Sequence, residues 1–188
     1  SFLAFFAFSF IASSIYIFND LLDLKADRSH PIKNGRPFAS GALPINLGVI
    51  GGIALIILGI TLSTKLGNTF LLTIIIYYLL NISYSLYFKK KPLIDIFLLS
   101  GMYTIRILGG GAATNLNISF WLLAFSIFIF LSLAAVKREA ELIELRSRGK
   151  SDLDYRGYKI KDLNFINSLA ISSGLISTLV IALYINSP

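Results

Sequence analysis

No cysteine occurs in the 188 residues, and histidine, tryptophan and methionine occur once each. The first absence excludes a disulfide scaffold and every thiolate metal site, and a lone histidine excludes sites that need two imidazoles. Any metal held by this chain therefore sits on oxygen. Charge is also sparse, at 14% of residues, against roughly 25% in a soluble domain. Apolar residues make up 55% of the chain, which excludes both an ordinary cytosolic fold and disorder. The composition is that of a membrane protein.

Six apolar segments stand out: Phe2 to Phe18, Leu47 to Thr64, Phe70 to Phe88, Leu93 to Ala113, Ile118 to Val136 and Phe165 to Ile185. Each is close to the ~20 residues that a helix needs to cross about 30 Å of hydrocarbon. Backbone groups in lipid must be satisfied internally, so the expected fold class is all-α, a polytopic bundle with six transmembrane helices in this chain. The net charge of +7 does not point to nucleic acid, because of where the charges lie. The connections after the first, third and fifth segments hold every basic residue except Lys65 and Arg106, and all ten acidic residues lie in or beside the same connections. Six crossings put those three connections on one side, which the positive-inside rule makes cytoplasmic. The expected location is the inner (plasma) membrane, with the active site facing the cytoplasm. No internal repeat or linker divides the chain, so residues 1–188 read as a single transmembrane domain. Both termini fall on the outer side in this topology, and further segments are expected before and after.

The densest constellation of polar groups follows the first segment, in Asn19-Asp20-Leu21-Leu22-Asp23-Leu24-Lys25-Ala26-Asp27-Arg28. If the first helix continues past the bilayer, steps of about 100° per residue bring Asn19, Asp20, Asp23 and Asp27 within an arc of roughly 100°. Like charges on one face repel, and a cation is the natural compensation. Oxygen-only ligands suit Mg²⁺, which commonly links one or two carboxylates to phosphate oxygens. The helix is expected to stop near His30, because Pro31 disfavours helical geometry in the residue before it. Beyond it Lys33 and Arg36 are placed to meet phosphate, Arg36 with a bidentate fork. A solvated acidic helix end balanced by lysines is the simpler alternative.

These residues resemble the first aspartate motif, N-D-x-x-D-x-x-x-D, of the UbiA-type intramembrane prenyltransferases. Arg28-x-His30-Pro31-x-Lys33-x-x-Arg36-Pro37 and Ala39-Ser40-Gly41 are similar to the same superfamily, and the likeness continues through nearly the whole chain. The resemblance implies a UbiA-like bundle of nine helices, of which these six are the second to seventh. It also implies a Mg²⁺-bound diphosphate substrate at the cytoplasmic mouth, with Asp20, Asp23 and Asp27 as catalytic, metal-holding residues and Asn19, Lys33 and Arg36 on the substrate.

Tyr84-Ser85-Leu86-Tyr87-Phe88-Lys89-Lys90-Lys91 reads on its own as an interfacial aromatic belt with snorkelling lysines. The family carries a phosphate-binding Y-x-x-x-K here. Tyr87 and Lys91 match that spacing, whereas Tyr84 with Lys89 fits the local pattern but is one residue longer. Arg106 is the one charge well inside an apolar segment, so it needs a partner or a wet cavity. Asp95 lies roughly 16 Å away along the helix axis, too far for a direct pair. Ile105-Arg106-Ile107-Leu108-Gly109-Gly110 resembles the family's fifth helix and implies a place in the substrate cavity.

After the fifth segment most family members carry a second aspartate-rich motif. Lys137-Arg138-Glu139-Ala140-Glu141-Leu142 stands here instead, and resembles the branch of decaprenyl-phosphate phosphoribosyltransferases and relatives fused to a haloacid-dehalogenase-like phosphatase domain. Lys137, Arg138 and Glu141 join the expected substrate-binding set, and a fused or neighbouring soluble domain is an implied partner. The polar stretch from Leu145 to Asp162 reads equally as an ordered cap or a solvated loop.

The implied activity is Mg²⁺-dependent transfer of a polyprenyl group from its diphosphate to an acceptor, with release of diphosphate. The isoprenoid lipid and the diphosphate-bearing donor are the partners. One alternative is phosphoribosyl transfer from phosphoribosyl diphosphate to a polyprenyl phosphate. A non-enzymatic alternative, a transporter or channel fragment, calls for acids at mid-membrane depth, whereas only Asp95 falls within an apolar segment, and at its edge.

Overall fold

The computed structural model describes residues 2–147 and 156–186. They form seven α-helices: α1 (Phe2–Leu22), α2 (Leu24–Ser29), α3 (Ile45–Thr64), α4 (Asn68–Leu86), α5 (Ile94–Thr114), α6 (Phe120–Ser147) and α7 (Leu163–Ile185). Short 3-10 turns lie at Lys33–Gly35, Phe88–Lys90 and Ile160–Asp162, and there is no strand among the described residues. Six of the helices, all but α2, are long and apolar enough to cross a membrane. The six expected segments are each found as one helix, with ends shifted by a few residues. The largest shift is in α6, whose 28 residues span about 42 Å at 1.5 Å per residue. That exceeds the ~30 Å of hydrocarbon, so the turns carrying Lys137 to Ser147 extend past an apolar stretch of ordinary length.

The first helix does not run unbroken to His30. It gives way at Asp23, whose φ of −91° and ψ of 6° leave the helical well. The hydrogen bonds from Asp23 N–H to the Asn19 carbonyl (2.9 Å) and from Asp27 N–H to the Asp23 carbonyl (2.8 Å) survive, so the chain keeps its direction through the break. Helix α2 then ends at Ser29 with extended backbone at His30, as Pro31 requires.

Two compact units divide the chain, one of residues 1–82 with 112–114 and the other of residues 83–111 with 115–188. In the first, α1 packs on α3 through small residues. Ala4, Ala7, Ile11, Ser14 and Ile15 form the buried stripe of α1, and Gly48, Gly52, Gly59 and Ser63 that of α3. Lipid offers apolar side chains no gain on leaving it, so transmembrane helices associate by close backbone approach over such small residues. At Gly59 the approach is closest to backbone: an added Cβ would lie 2.7 Å from the Ile11 side chain and 3.2 Å from the Ala7 carbonyl oxygen. Phe8 of α1 meets Phe70 and Tyr77 of α4 edge to face, with centroids 5.7 and 5.5 Å apart.

The second unit centres on Ile96, Leu131, Ala134, Ala135, Leu142, Tyr158, Ile166 and Ala170. Hydroxyls tie its helices across their faces. Ser100 donates to the Ile127 carbonyl (2.9 Å) and Ser132 to the Ala170 carbonyl (2.7 Å), joining α5 to α6 and α6 to α7.

Gly59→Ala is expected to destabilise the protein by about 1–3 kcal/mol through overpacking. Gly51→Ala, where an added Cβ meets nothing within 4 Å, is expected to be neutral or slightly stabilising. Thermal unfolding in detergent compares the two, and equal midpoints would contradict close approach at Gly59.

Candidate functional site

The acidic constellation belongs to the first unit. Beyond α2 the chain turns back, with the N–H groups of Ile32 and Lys33 donating to His30 Nδ1 (3.2 and 3.3 Å) and Arg36 N–H to the Lys33 carbonyl (3.0 Å). His30 is therefore a turn-forming residue. The reversal aims Arg36 at the acidic face, where its Nη1 lies 2.9 Å from Asp20 Oδ1 and 2.8 Å from Asp27 Oδ2. The Asp27 side chain is 5% exposed and that of Arg36 41%. Asn19 and Asp20 are half-buried on the last turn of α1, Asp23 is half-buried at the break, and Lys33 is exposed.

Among the described residues, no three acidic or histidine side chains stand close enough to hold a metal ion. Two of the expected three carboxylates are brought together, and a guanidinium is their common partner. Asp23 stands half-buried at the break between α1 and α2. The donor set still fits Mg²⁺. All its ligand atoms are oxygen, and Asp20 and Asp27 already converge on one positive centre, as the hard divalent ion requires. Asn19 and Asp23 are the adjoining oxygen donors on the same stretch.

The second unit holds a buried ionic network. Arg138 is fully buried, yet its Nη2 lies 2.7 Å from Asp95 Oδ2, and Asp95 is itself fully buried. Arg138 also bonds Glu141, one turn on, and its guanidinium lies 5.5 Å from the Tyr158 ring. Tyr158 donates its hydroxyl proton to Asp95 and accepts the N–H of Leu93 at 2.7 Å. Leu93 is in the left-handed region at φ 67°, while Ile94 N–H reaches the Pro92 carbonyl (2.9 Å). That combination is a γ-turn of the strained kind, and Tyr158 clamps it. Burial, and then the hydrogen bond to Asp95, push the Tyr158 phenol above its ordinary range. Arg156 completes the set, with Nη1 3.1 Å from the Tyr84 hydroxyl and Nε 3.5 Å from Glu141.

The other expected residues are distributed as follows. Arg138 and Glu141, expected to face substrate, are engaged with protein groups, and Arg138 has no exposed surface. Tyr84 is half-buried against Arg156, Lys89 is half-buried, and Lys137 is exposed. Of the alternative pair, Lys91 Nζ lies 4.8 Å from the centre of the Tyr87 ring. Arg106 is exposed on α5, its guanidinium 5.2 Å from the Tyr103 ring, and Asp95 pairs with Arg138 instead. Of the stretch from Leu145 to Asp162, residues 148–155 lie outside the described residues. Sequence reasoning did not single out Tyr158 or Arg156. The available signal was Asp95, an acid inside an apolar segment, which demands a partner.

Asp95→Asn is expected to lower stability in thermal melts by up to about 3–5 kcal/mol, because it takes one of two carboxylates from a buried guanidinium and leaves it Glu141 alone. Tyr158 supplies a pH test. Its folded-state pKa is raised, so the stability it adds is fully present below the ordinary phenol value of about 10 and is lost as pH rises past it. Wild type should therefore lose more stability than Tyr158→Phe between pH 9 and 11 in parallel thermal melts, and parallel losses would contradict the Asp95 hydrogen bond.

A family model described as the UbiA prenyltransferase family matches residues 1–144. Nodulation protein NoeC of Azorhizobium caulinodans is 38% identical over 183 residues, covering 97% of this chain and 60% of that protein. Decaprenyl-phosphate phosphoribosyltransferase of Corynebacterium glutamicum is 36% identical over 178 residues, covering 93% of this chain and 54% of that protein. The chain thus spans little more than half the length of these relatives. A UbiA homolog from Archaeoglobus fulgidus, solved bound to GPP and Mg²⁺, superposes with a TM-score of 0.76 over 98% of this chain and 64% of its own, at 15% identity, a likeness of fold. A structure concerned with digeranylgeranylglyceryl phosphate synthase in membranes gives a TM-score of 0.71 at 26% identity, over 98% of this chain and 66% of its own. With six membrane-length helices, this fold and a family match through most of its residues, the chain is an integral membrane protein that belongs to the UbiA prenyltransferase family.

Proposed function

We propose that the protein transfers a polyprenyl group from its diphosphate to an acceptor within the membrane, in a Mg²⁺-dependent reaction that releases diphosphate. The observation that carries this reading is the convergence of Asp20 and Asp27 on one positive centre, reached by a single nitrogen of Arg36. Asp20, Asp23 and Asp27, with Asn19, would hold Mg²⁺, which when bound supplies positive charge to a diphosphate leaving group. Lys33 and Arg36 offset the negative charge that grows on that group as its bond to carbon breaks. The carbon left behind is cationic, and the apolar helices shield it from water, which would otherwise capture it. Within the second unit, Tyr84, Lys89, Arg106 and Lys137 are the further polar candidates for substrate. Arg138 and Glu141 act through the groups they position. The basic connections favour an active site facing the cytoplasm at the plasma membrane.

A second reading is phosphoribosyl transfer from phosphoribosyl diphosphate to a polyprenyl phosphate. It is favoured by the 36% identity to a decaprenyl-phosphate phosphoribosyltransferase and by Lys137-Arg138-Glu139-Ala140-Glu141-Leu142 standing in place of a second aspartate-rich motif.

Full-length protein in detergent with Mg²⁺ is offered a polyprenyl diphosphate with aromatic acceptors, or phosphoribosyl diphosphate with a polyprenyl phosphate, and diphosphate release is measured. The first pair is expected to turn over; turnover of the second pair alone selects the second reading. With the active pair, Asp23→Asn and Asp27→Asn are each expected to lose roughly 10²-fold or more in kcat, and retained turnover would remove that carboxylate from the site.

A further inference from the structure

The Arg36 contact differs in kind from the arginine contacts of the second unit. Arg138 has no exposed surface and is fixed by Asp95, Glu141 and the face of Tyr158. Arg36 is 41% exposed, stands on extended backbone just past a three-residue turn, and touches the acidic face through one nitrogen only, Nη1. That nitrogen occupies the one locus shared by Asp20 and Asp27. Asp27, at 5% exposure, has little water to solvate its charge, so it needs a positive neighbour in every state of the protein.

We infer that Arg36 is a placeholder cation: it neutralises Asp20 and Asp27 while no divalent ion is bound, and yields their shared locus when metal and diphosphate arrive together. This rests on the reading of Asp20 and Asp27 as metal ligands. Two cations cannot occupy one position, so metal alone must displace Arg36 and leave the guanidinium without its partners. Metal that arrives with diphosphate also brings phosphate oxygens, and the fork of Arg36 exchanges carboxylate for phosphate with little net loss. The device therefore sets an order. The acidic face binds bare metal weakly and the metal complex of diphosphate tightly, while the fold of the turn is kept throughout.

The test uses the full-length protein in detergent, with Mn²⁺ as the metal and inorganic pyrophosphate as the phosphate probe. Binding is followed by calorimetry and by loss of the free Mn²⁺ electron-spin resonance. Arg36→Gln is expected to bind Mn²⁺ alone roughly tenfold more tightly than wild type, the low end for losing a partly exposed charge-assisted competitor. The same variant is expected to bind Mn²⁺ with pyrophosphate more weakly. Arg36→Met, which keeps the apolar stem, repeats the comparison if thermal melts show the glutamine variant unfolded. Equal or weaker affinity for Mn²⁺ alone, or no detectable binding in either protein, overturns the placeholder. The underlying reading is judged separately with the Asp20→Asn, Asp27→Asn double variant. If that variant keeps wild-type affinity for Mn²⁺ with pyrophosphate, these carboxylates are not the ligands. If it loses that affinity while Arg36→Gln gains nothing, the ligand assignment stands and the placeholder falls.

Discussion

Two carboxylates seven positions apart on one helical face oppose each other, and Asp20 and Asp27 coexist because a positive centre stands between them. The local structure follows from meeting that demand at the end of an apolar helix. Asp27 is nearly buried, so its charge cannot be left to water. The chain answers by stopping α2 before Pro31, reversing through a turn pinned to His30, and returning Arg36 to the acidic face. The residues expected to handle a metal and a diphosphate are the same ones that shape the turn, so the chemistry and the fold of this stretch are not separable.

In the second unit a buried charge is handled differently. Asp95 and Arg138 are both removed from solvent, and a pair so placed is held together as much by the penalty of separating it as by its attraction. Tyr158 adds a donor to Asp95 and an acceptor for the amide of Leu93, and so holds a turn that leucine does not adopt unaided. Arg156 extends the network to Tyr84. The result is a polar network that joins the end of α4, the start of α5 and the long α6. Here the guanidinium has no exposed surface, whereas Arg36, 41% exposed, meets Asp20 and Asp27 through a single nitrogen.

The helices were legible in the sequence because each is an apolar run of membrane length, and the alternation of basic connections agreed with their number. Boundaries were less so: α6 outruns its apolar stretch because Lys137 to Ser147 contains good helix formers that polarity alone does not mark as helical. The acidic face was legible from the spacing of Asn19, Asp20, Asp23 and Asp27, but the loosening at Asp23 was not, since nothing local forbids a helix there. Arg36 was expected to meet phosphate, and its grip on Asp20 and Asp27 depends on a turn whose path no periodicity encodes. Arg138 was expected to bind substrate, and it is buried among protein groups instead. Its burial follows from Asp95 and Tyr158, which lie 43 positions before it and 20 after it, and contacts at such separation leave no local trace.

The most direct measurement is a structure of the full-length protein with Mn²⁺ and pyrophosphate, with anomalous scattering recorded at the manganese edge. The expected result is a manganese peak at ligand distance, about 2.1 Å for a hard octahedral ion, from carboxylate oxygens of Asp20 and Asp27, with Arg36 moved onto the pyrophosphate. A peak elsewhere, with Arg36 still bridging the two aspartates, would contradict the assignment of this face as the metal site.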